Sequence, residues 1–358
     1  MGKFIELKGR KIGDASPAFI IAELSCNHLG EYSLAVKTIK AMKEAGADAV
    51  KLQTFRPDSI TIDCDNRHFM IRGGTLWDGR TLYGLYKEAF MPWEWQPKLK
   101  KIAEDLGLIF FSSPFDKEAV DFLERMGVPA YKVASFEITD IPLIEHVASK
   151  GKPVIISTGV AALADIREAV SACRREGNHK IALLKCTSAY PTNLKEVNLK
   201  TIPDMAGKFK TVVGISDHTL GSLVPAAAVA LGAKIIEKHF ILDRSLGGPD
   251  AAFSLEPDEF KAMVKSVRET EMAVGSVNYK LTEAMKRSRT FARSLFVVKD
   301  VNKGEIFTEQ NVRSVRPGLG LHPRHLKKIL GKKSGRNINK GTPFELSFVK
   351  APIKIINQ

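Results

Sequence analysis

The chain has 358 residues, 44% hydrophobic and 26% charged, a size for one large domain plus a small one and an ordinary globular composition. It holds no run of about 18 apolar residues, which excludes a helical membrane span, and "MGKFIELKGRKIG" lacks the apolar core of a signal peptide; with Cys26, Cys64, Cys173 and Cys186 scattered, a cytoplasmic protein with free thiols is expected. The formal charge is +14, yet Ala284 to Gln358 carries 17 Lys and Arg against 4 Asp and Glu, so +13 sits in that tail and +1 before it. The tail is either a solvated basic face or one that meets an anionic partner.

In chain order, strand-like runs at 19–25, 49–55, 108–115, 130–135, 153–159, 181–188, 211–218 and 233–240 alternate with helical patterns such as "SLAVKTIKAMKEAG" and "DKEAVDFLERMG". Many of these helices end in Gly just before the next strand, as a helix C-cap leading into a parallel strand requires. Eight βα units in about 270 residues predict a (β/α)₈ TIM barrel. The alternative, an open doubly wound sheet, needs no eightfold count, and no G-x-G-x-x-G follows the first strand. Residues 56–92 overfill the second βα connection and are expected to form a lid or floor of a site. Beyond the last barrel helix, 276–291 reads as a linker. From 292 to 358, short β runs and turns predict a small β-rich domain, leaving 1–275 to the barrel.

Polar residues at the C-terminal ends of barrel strands mark chemistry, because that face builds the active site. Each predicted strand supplies some: Glu23; Lys51 and Gln53; Ser112 and Ser113; Lys132 and Ser135; Ser157 and Thr158; Lys185, Thr187 and Ser188; Asp217 and His218; Glu237 and His239. Singly, each has a bland reading as a structural histidine, a salt-bridged lysine or a helix cap. Together, two imidazoles on neighbouring strands about 4.8 Å apart can share a divalent metal, beside a cationic, hydroxyl-rich wall suited to phosphate and carboxylate. The residues alone thus point to a metal and a small anionic substrate.

Nine ordered motifs, "IAELSCNHLG", "GADAVKLQTF", "SSPFD", "VPAYKVAS", "KPVIISTG", "CTSAYP", "SDHTLG", "ALGAKIIEKHF" and "GGPDAAFSLEPDEF", make the chain resemble the sialic acid synthase family over nearly its whole length. "ARSLFVVKDVNKGEIFTEQNVRSVRPGLG" resembles that family's C-terminal antifreeze-like (SAF) domain. The resemblance implies condensation of phosphoenolpyruvate with an N-acetylated amino-sugar aldehyde, giving a nine-carbon α-keto acid and phosphate. It implies that His218 and His239 ligate a divalent cation, Mn²⁺ first, with Mg²⁺ or Co²⁺ as alternatives. It further implies phosphoenolpyruvate contacts at Lys51, Ser113, Lys132, Ser135 and Ser157, active-site positions at Glu23 and Gln53, a sugar-facing acid at Asp250 and a substrate contact at Tyr190. Arg316 would enter the partner subunit's barrel in a domain-swapped homodimer. Ala189, Phe136 and "GGPDAAFSLEP" depart from the neuraminate-forming members and resemble those that make pseudaminic acid, which favours a less hydroxylated sugar, 2,4-diacetamido-2,4,6-trideoxy-altrose. The runner-up is an N-acetylneuraminate or legionaminate synthase. Outside catalysis, nucleic-acid binding lacks a recognition-helix or RNP pattern, and an ice-binding-like module with a dead barrel conflicts with the retained Glu23, Lys51, Lys132, His218 and His239.

Overall fold

A computed structural model describes residues 3–14, 16–189 and 192–351. The chain divides into two compact units, Met1–Gly275 and Ser276–Gln358. The first opens on a hairpin, β1 (Phe4–Leu7) and β2 (Arg10–Gly13), paired antiparallel. Eight parallel strands then close a barrel: β3 (Phe19–Glu23), β4 (Ala49–Thr54), β5 (Ile109–Pro114), β6 (Tyr131–Val133), β7 (Val154–Ser157), β8 (Ile181–Cys186), β9 (Val212–Asp217) and β10 (Ile235–His239), with β10 returning to pair with β3. This is the TIM barrel expected from the alternation of runs, and each strand stands within three residues of its predicted position.

Strand alternation separates two apolar layers. Ile20, Val50, Phe110, Tyr131, Val154, Leu183, Val213 and Ile236 face outward and pack with the surrounding helices. Their neighbours Phe19, Ile21, Ala49, Phe111, Ile155, Ala182, Leu184, Val212 and Ile235 face inward and fill the barrel floor, which Ile5, Leu7 and Ile12 of the hairpin seal. The helices start and stop on local chemistry. Asp116 and Asp140 cap their helices by accepting from the amides of Ala119 and Leu143, and Gly127 turns the chain out of its helix at φ 67°. No helix among the described residues is long and apolar enough to cross a membrane.

The second unit holds a helix, Glu283–Ser288, within the stretch read as a linker. Strands β11 (Ser294–Val297) and β12 (Val312–Val315) pair antiparallel, and further bridges join Val301 to Ile338 and Ile306 to Lys333. Leu295, Phe307, Val312, Phe344 and Phe348 form its own core.

Candidate active site

The inward parity that places Phe19 and Ile21 on the barrel floor brings Glu23 to its C-terminal rim. Two-residue steps likewise lift Lys51 and Gln53 above Ala49, Ser113 above Phe111, Lys132 above Ala130, Ser157 above Ile155, and Glu237 and His239 above Ile235. Register completes the arrangement: His239 stands opposite Glu23, Glu23 opposite Lys51, and Gln53 opposite Ser113. Parity also corrects part of the strand-end reading. Asp217 points outward and binds the fully buried Lys238 at 2.6 Å, and Lys185 turns to the carbonyl of Cys186 and the hydroxyl of Thr187. Both lie outside the cavity lining.

Within the rim, the Lys51 ammonium lies 2.6 Å from Glu23 Oε2, 3.5 Å from Glu237 Oε2 and 3.4 Å from Ser113 Oγ. Lys132 donates to Ser157 Oγ at 2.7 Å and to the Val133 carbonyl at 3.1 Å, with Glu237 Oε1 at 3.6 Å. Burial opposes ionisation of Glu23, but the Lys51 charge, then His239, outweigh it and hold the carboxyl down to about 2. Burial likewise opposes the charge on Lys51, and Glu23 and Glu237 overcome it, raising the ammonium. For Lys132 burial wins and the ammonium is lowered, with Glu237 only partly compensating. An incoming carboxylate or phosphate would supply what Lys132 lacks. Ser135 accepts from the amide of Gly159 at 3.1 Å. A Cβ at Gly159 would sit 2.1 Å from Ser188 Oγ and 2.7 Å from Ser135 Oγ, so only glycine lets these hydroxyls converge.

Glu23, Lys51, Lys132, Ser135, Ser157 and Glu237 line one cavity of about 190 Å³. Trp77, Leu85 and Tyr86 of the overlong connection supply a wall, and Trp77 Nε1 donates to the Pro249 carbonyl at 3.0 Å. His218 and His239 face the cavity with ring centroids 5.2 Å apart, each edge-on to Phe253. His239 Nε2 is 3.6 Å from Glu23 Oε2, while Nδ1 lies 3.4 Å from Asp250 Oδ2 and makes no aligned hydrogen bond. Burial would raise the Asp250 carboxyl, but His239 and Ser25 lower it. The two facing imidazoles, with His239 Nε2 turned toward the Glu23 carboxylate, are a mixed N/O donor set that fits a divalent first-row cation. Among the described residues no three His, Cys, Asp or Glu converge as a ready-made cage, so such a cation would take other ligands from water or substrate.

Glu23, Lys51, Gln53, Lys132, Ser135, Ser157, His218, His239 and Asp250 thus share the cavity, with Ser113 within hydrogen-bond reach of Lys51. Tyr190 lies outside the described residues. Arg316 is exposed, just after β12 in the second unit. Sequence reasoning passed over Ser25, Cys186, Ser216, Glu137 and Phe253, which also line the cavity. Parity signals Cys186, two residues beyond Leu184, and Ser216, four beyond Val212; nothing in the sequence signals the others.

Glu137 carries a prediction. Its Oε2 is buried without a partner, and burial pushes the carboxyl up to about 7, against the pull of Lys132. A raised acid favours the fold below its ordinary value of 4.5, and that contribution is lost as pH rises through about 7. Glu137→Gln should therefore abolish a stability loss of up to about 3 kcal/mol between pH 5 and 8, read from denaturant melts across that range. An unchanged slope would show that Glu137 is not the group responsible.

Comparison with known proteins gives a NeuB family model matching residues 38–279 and an SAF domain model matching residues 292–350. Pseudaminic acid synthase of Campylobacter jejuni subsp. jejuni serotype O:23/36 is 50% identical over 90% of this chain and 94% of its own. That of Helicobacter pylori is 46% identical over 91% and 96%. The crystal structure of N-acetylneuraminic acid synthetase from Leptospira borgpetersenii, in complex with citrate, is 32% identical with a TM-score of 0.72, covering 80% of this chain and 95% of that one.

Proposed function

The chain belongs to the NeuB family, and we propose that it condenses phosphoenolpyruvate with 2,4-diacetamido-2,4,6-trideoxy-β-L-altropyranose to give pseudaminic acid and phosphate. The observation that carries the reading is the meeting of paired imidazoles with two buried lysines on one small cavity. The sugar is supported by identities of 50% and 46% to pseudaminic acid synthases against 32% to the neuraminic acid enzyme. Phe136 at the mouth and Phe253 against the histidines add apolar surface that suits a deoxygenated sugar.

Lys51 and Lys132 bind the anionic ends of phosphoenolpyruvate, with the Ser113, Ser135 and Ser157 hydroxyls orienting them. His218 and His239 would hold a divalent cation, which when bound supplies Lewis-acid polarisation of the aldehyde oxygen. C3 of phosphoenolpyruvate bonds to the aldehyde carbon, water adds at C2, and the C2–O bond breaks to release phosphate. Glu23, oriented by Gln53 and Lys51, is the carboxylate set to take the water's proton. Asp250 faces the sugar hydroxyls. The reading extends to a cytoplasmic, domain-swapped homodimer in which Arg316 offers its guanidinium fork to an acetamido carbonyl in the partner's barrel.

The test is phosphate release with three aldehyde sugars. The diacetamido-trideoxy-altrose should exceed N-acetylmannosamine and the legionaminate precursor in kcat/KM by 10–200-fold or more, the worth of about 1–3 kcal/mol per misplaced group. Preference for either other sugar would move the assignment to that product.

A further inference from the structure

Ser25 follows β3 at φ +48°, a left-handed conformation costly for any residue with a Cβ, and it is 4% exposed. Glycine would hold that turn more easily, so the retained hydroxyl asks for a reason. Its Oγ donates to Asp250 Oδ2 at 2.5 Å and accepts from Gln53 Nε2 at 2.9 Å. The same Gln53 amide donates to Glu23 Oε1 at 2.9 Å, and Asp250 Oδ2 faces His239 Nδ1 at 3.4 Å. One hydroxyl thereby joins the ends of β3, β4 and β10 to the turn bearing Asp250. The other end of Asp250 is held too: its carbonyl accepts from Ser254 Oγ, which in turn accepts from Asn27 Nδ2, two residues beyond Ser25.

We propose that Ser25 is a positioning residue. Its hydroxyl holds the Asp250 carboxylate 3.4 Å from Nδ1 of His239, and that nearby negative charge favours the imidazole with Nδ1 toward Asp250 and Nε2 toward Glu23 and the cavity. Outer partners of this kind orient a ligating histidine, and their loss typically costs 10–100-fold in metal affinity or activity. The inference rests on the reading of His239 as a metal ligand given above.

The experiment compares full-length Ser25→Gly and Ser25→Ala with the unaltered protein. Glycine tolerates φ +48°, so Ser25→Gly should melt higher than Ser25→Ala, which lacks the same hydroxyl but keeps the strain. Both should lose 10–100-fold in kcat with KM for phosphoenolpyruvate held within about threefold, and both should bind Mn²⁺ about tenfold more weakly in a substrate-free EPR titration. Parental kcat and Mn²⁺ affinity in Ser25→Gly would overturn the proposal. So would losses that track melting temperature across the two variants, since a purely structural role predicts that. Failure of the unaltered protein to bind Mn²⁺ would instead overturn the reading of the histidines.

Discussion

Replacing Lys51 with methionine should both unsettle the barrel and stop the reaction. The ammonium is 2% exposed and is the counter-charge of Glu23 and Glu237. Removing one partner of a buried ion pair strands the others, at a cost of about 3–5 kcal/mol. Methionine matches the stem in volume, so packing contributes little. The pH dependence carries a sign. With Lys51 present, Glu23 is held down to about 2, and its contribution to stability is full above its ordinary 4.5 and fades as pH falls toward 2. Without Lys51, burial is the largest influence on the Glu23 carboxyl and raises it, so the stability lost on Lys51→Met should be smaller at pH 5 than at pH 8. Turnover should fall by about 10²–10³ or more, the loss expected when one preorganised electrostatic group is removed. Lys51→Met with Glu23→Gln should recover much of the stability and none of the activity. Melts at pH 5 and 8 beside turnover assays decide it: equal stability loss at both pH values would remove the buried-pair argument.

His218→Ala and His239→Ala should each cost 10³-fold or more in kcat, the scale of several kcal/mol of lost charge stabilisation at the aldehyde oxygen. The fold should persist, because both rings stand at the rim against Phe253 and away from the apolar floor. Exhaustive chelation of the unaltered protein should reproduce the loss, and Mn²⁺ should reverse it there but not in the variants. Full turnover after chelation would refute a cation held by these histidines. Circular dichroism of the variants separates a lost ligand from a lost fold.

Much of this architecture is legible in the chain. Eight apolar runs separated by Gly-capped helices announce the barrel, and counting by twos from the floor residues finds Glu23, Lys51, Lys132, Glu237 and His239 on one face. The same count assigns Asp217 and Lys185 outward, so listing every polar strand end overstates the site. The hairpin of β1 and β2 hides because its buried apolar side chains, Ile5, Leu7 and Ile12, are few and stand among charged neighbours. Ser25 is illegible for a different reason: its role depends on a left-handed φ and on Asp250, 225 residues away. Glu137 likewise owes its raised carboxyl to burial by tertiary packing. Sequence periodicity reports which face a side chain occupies, not which partners burial will deny it.

The most direct measurement is one reaction of the purified protein with phosphoenolpyruvate, Mn²⁺ and the diacetamido-trideoxy-altrose, followed by phosphate assay and by NMR of the sugar product. One equivalent of phosphate should form per equivalent of a nine-carbon α-keto acid, with neither formed when either substrate is withheld. Phosphate released without sugar, or sugar left without a new carbon–carbon bond, would contradict it.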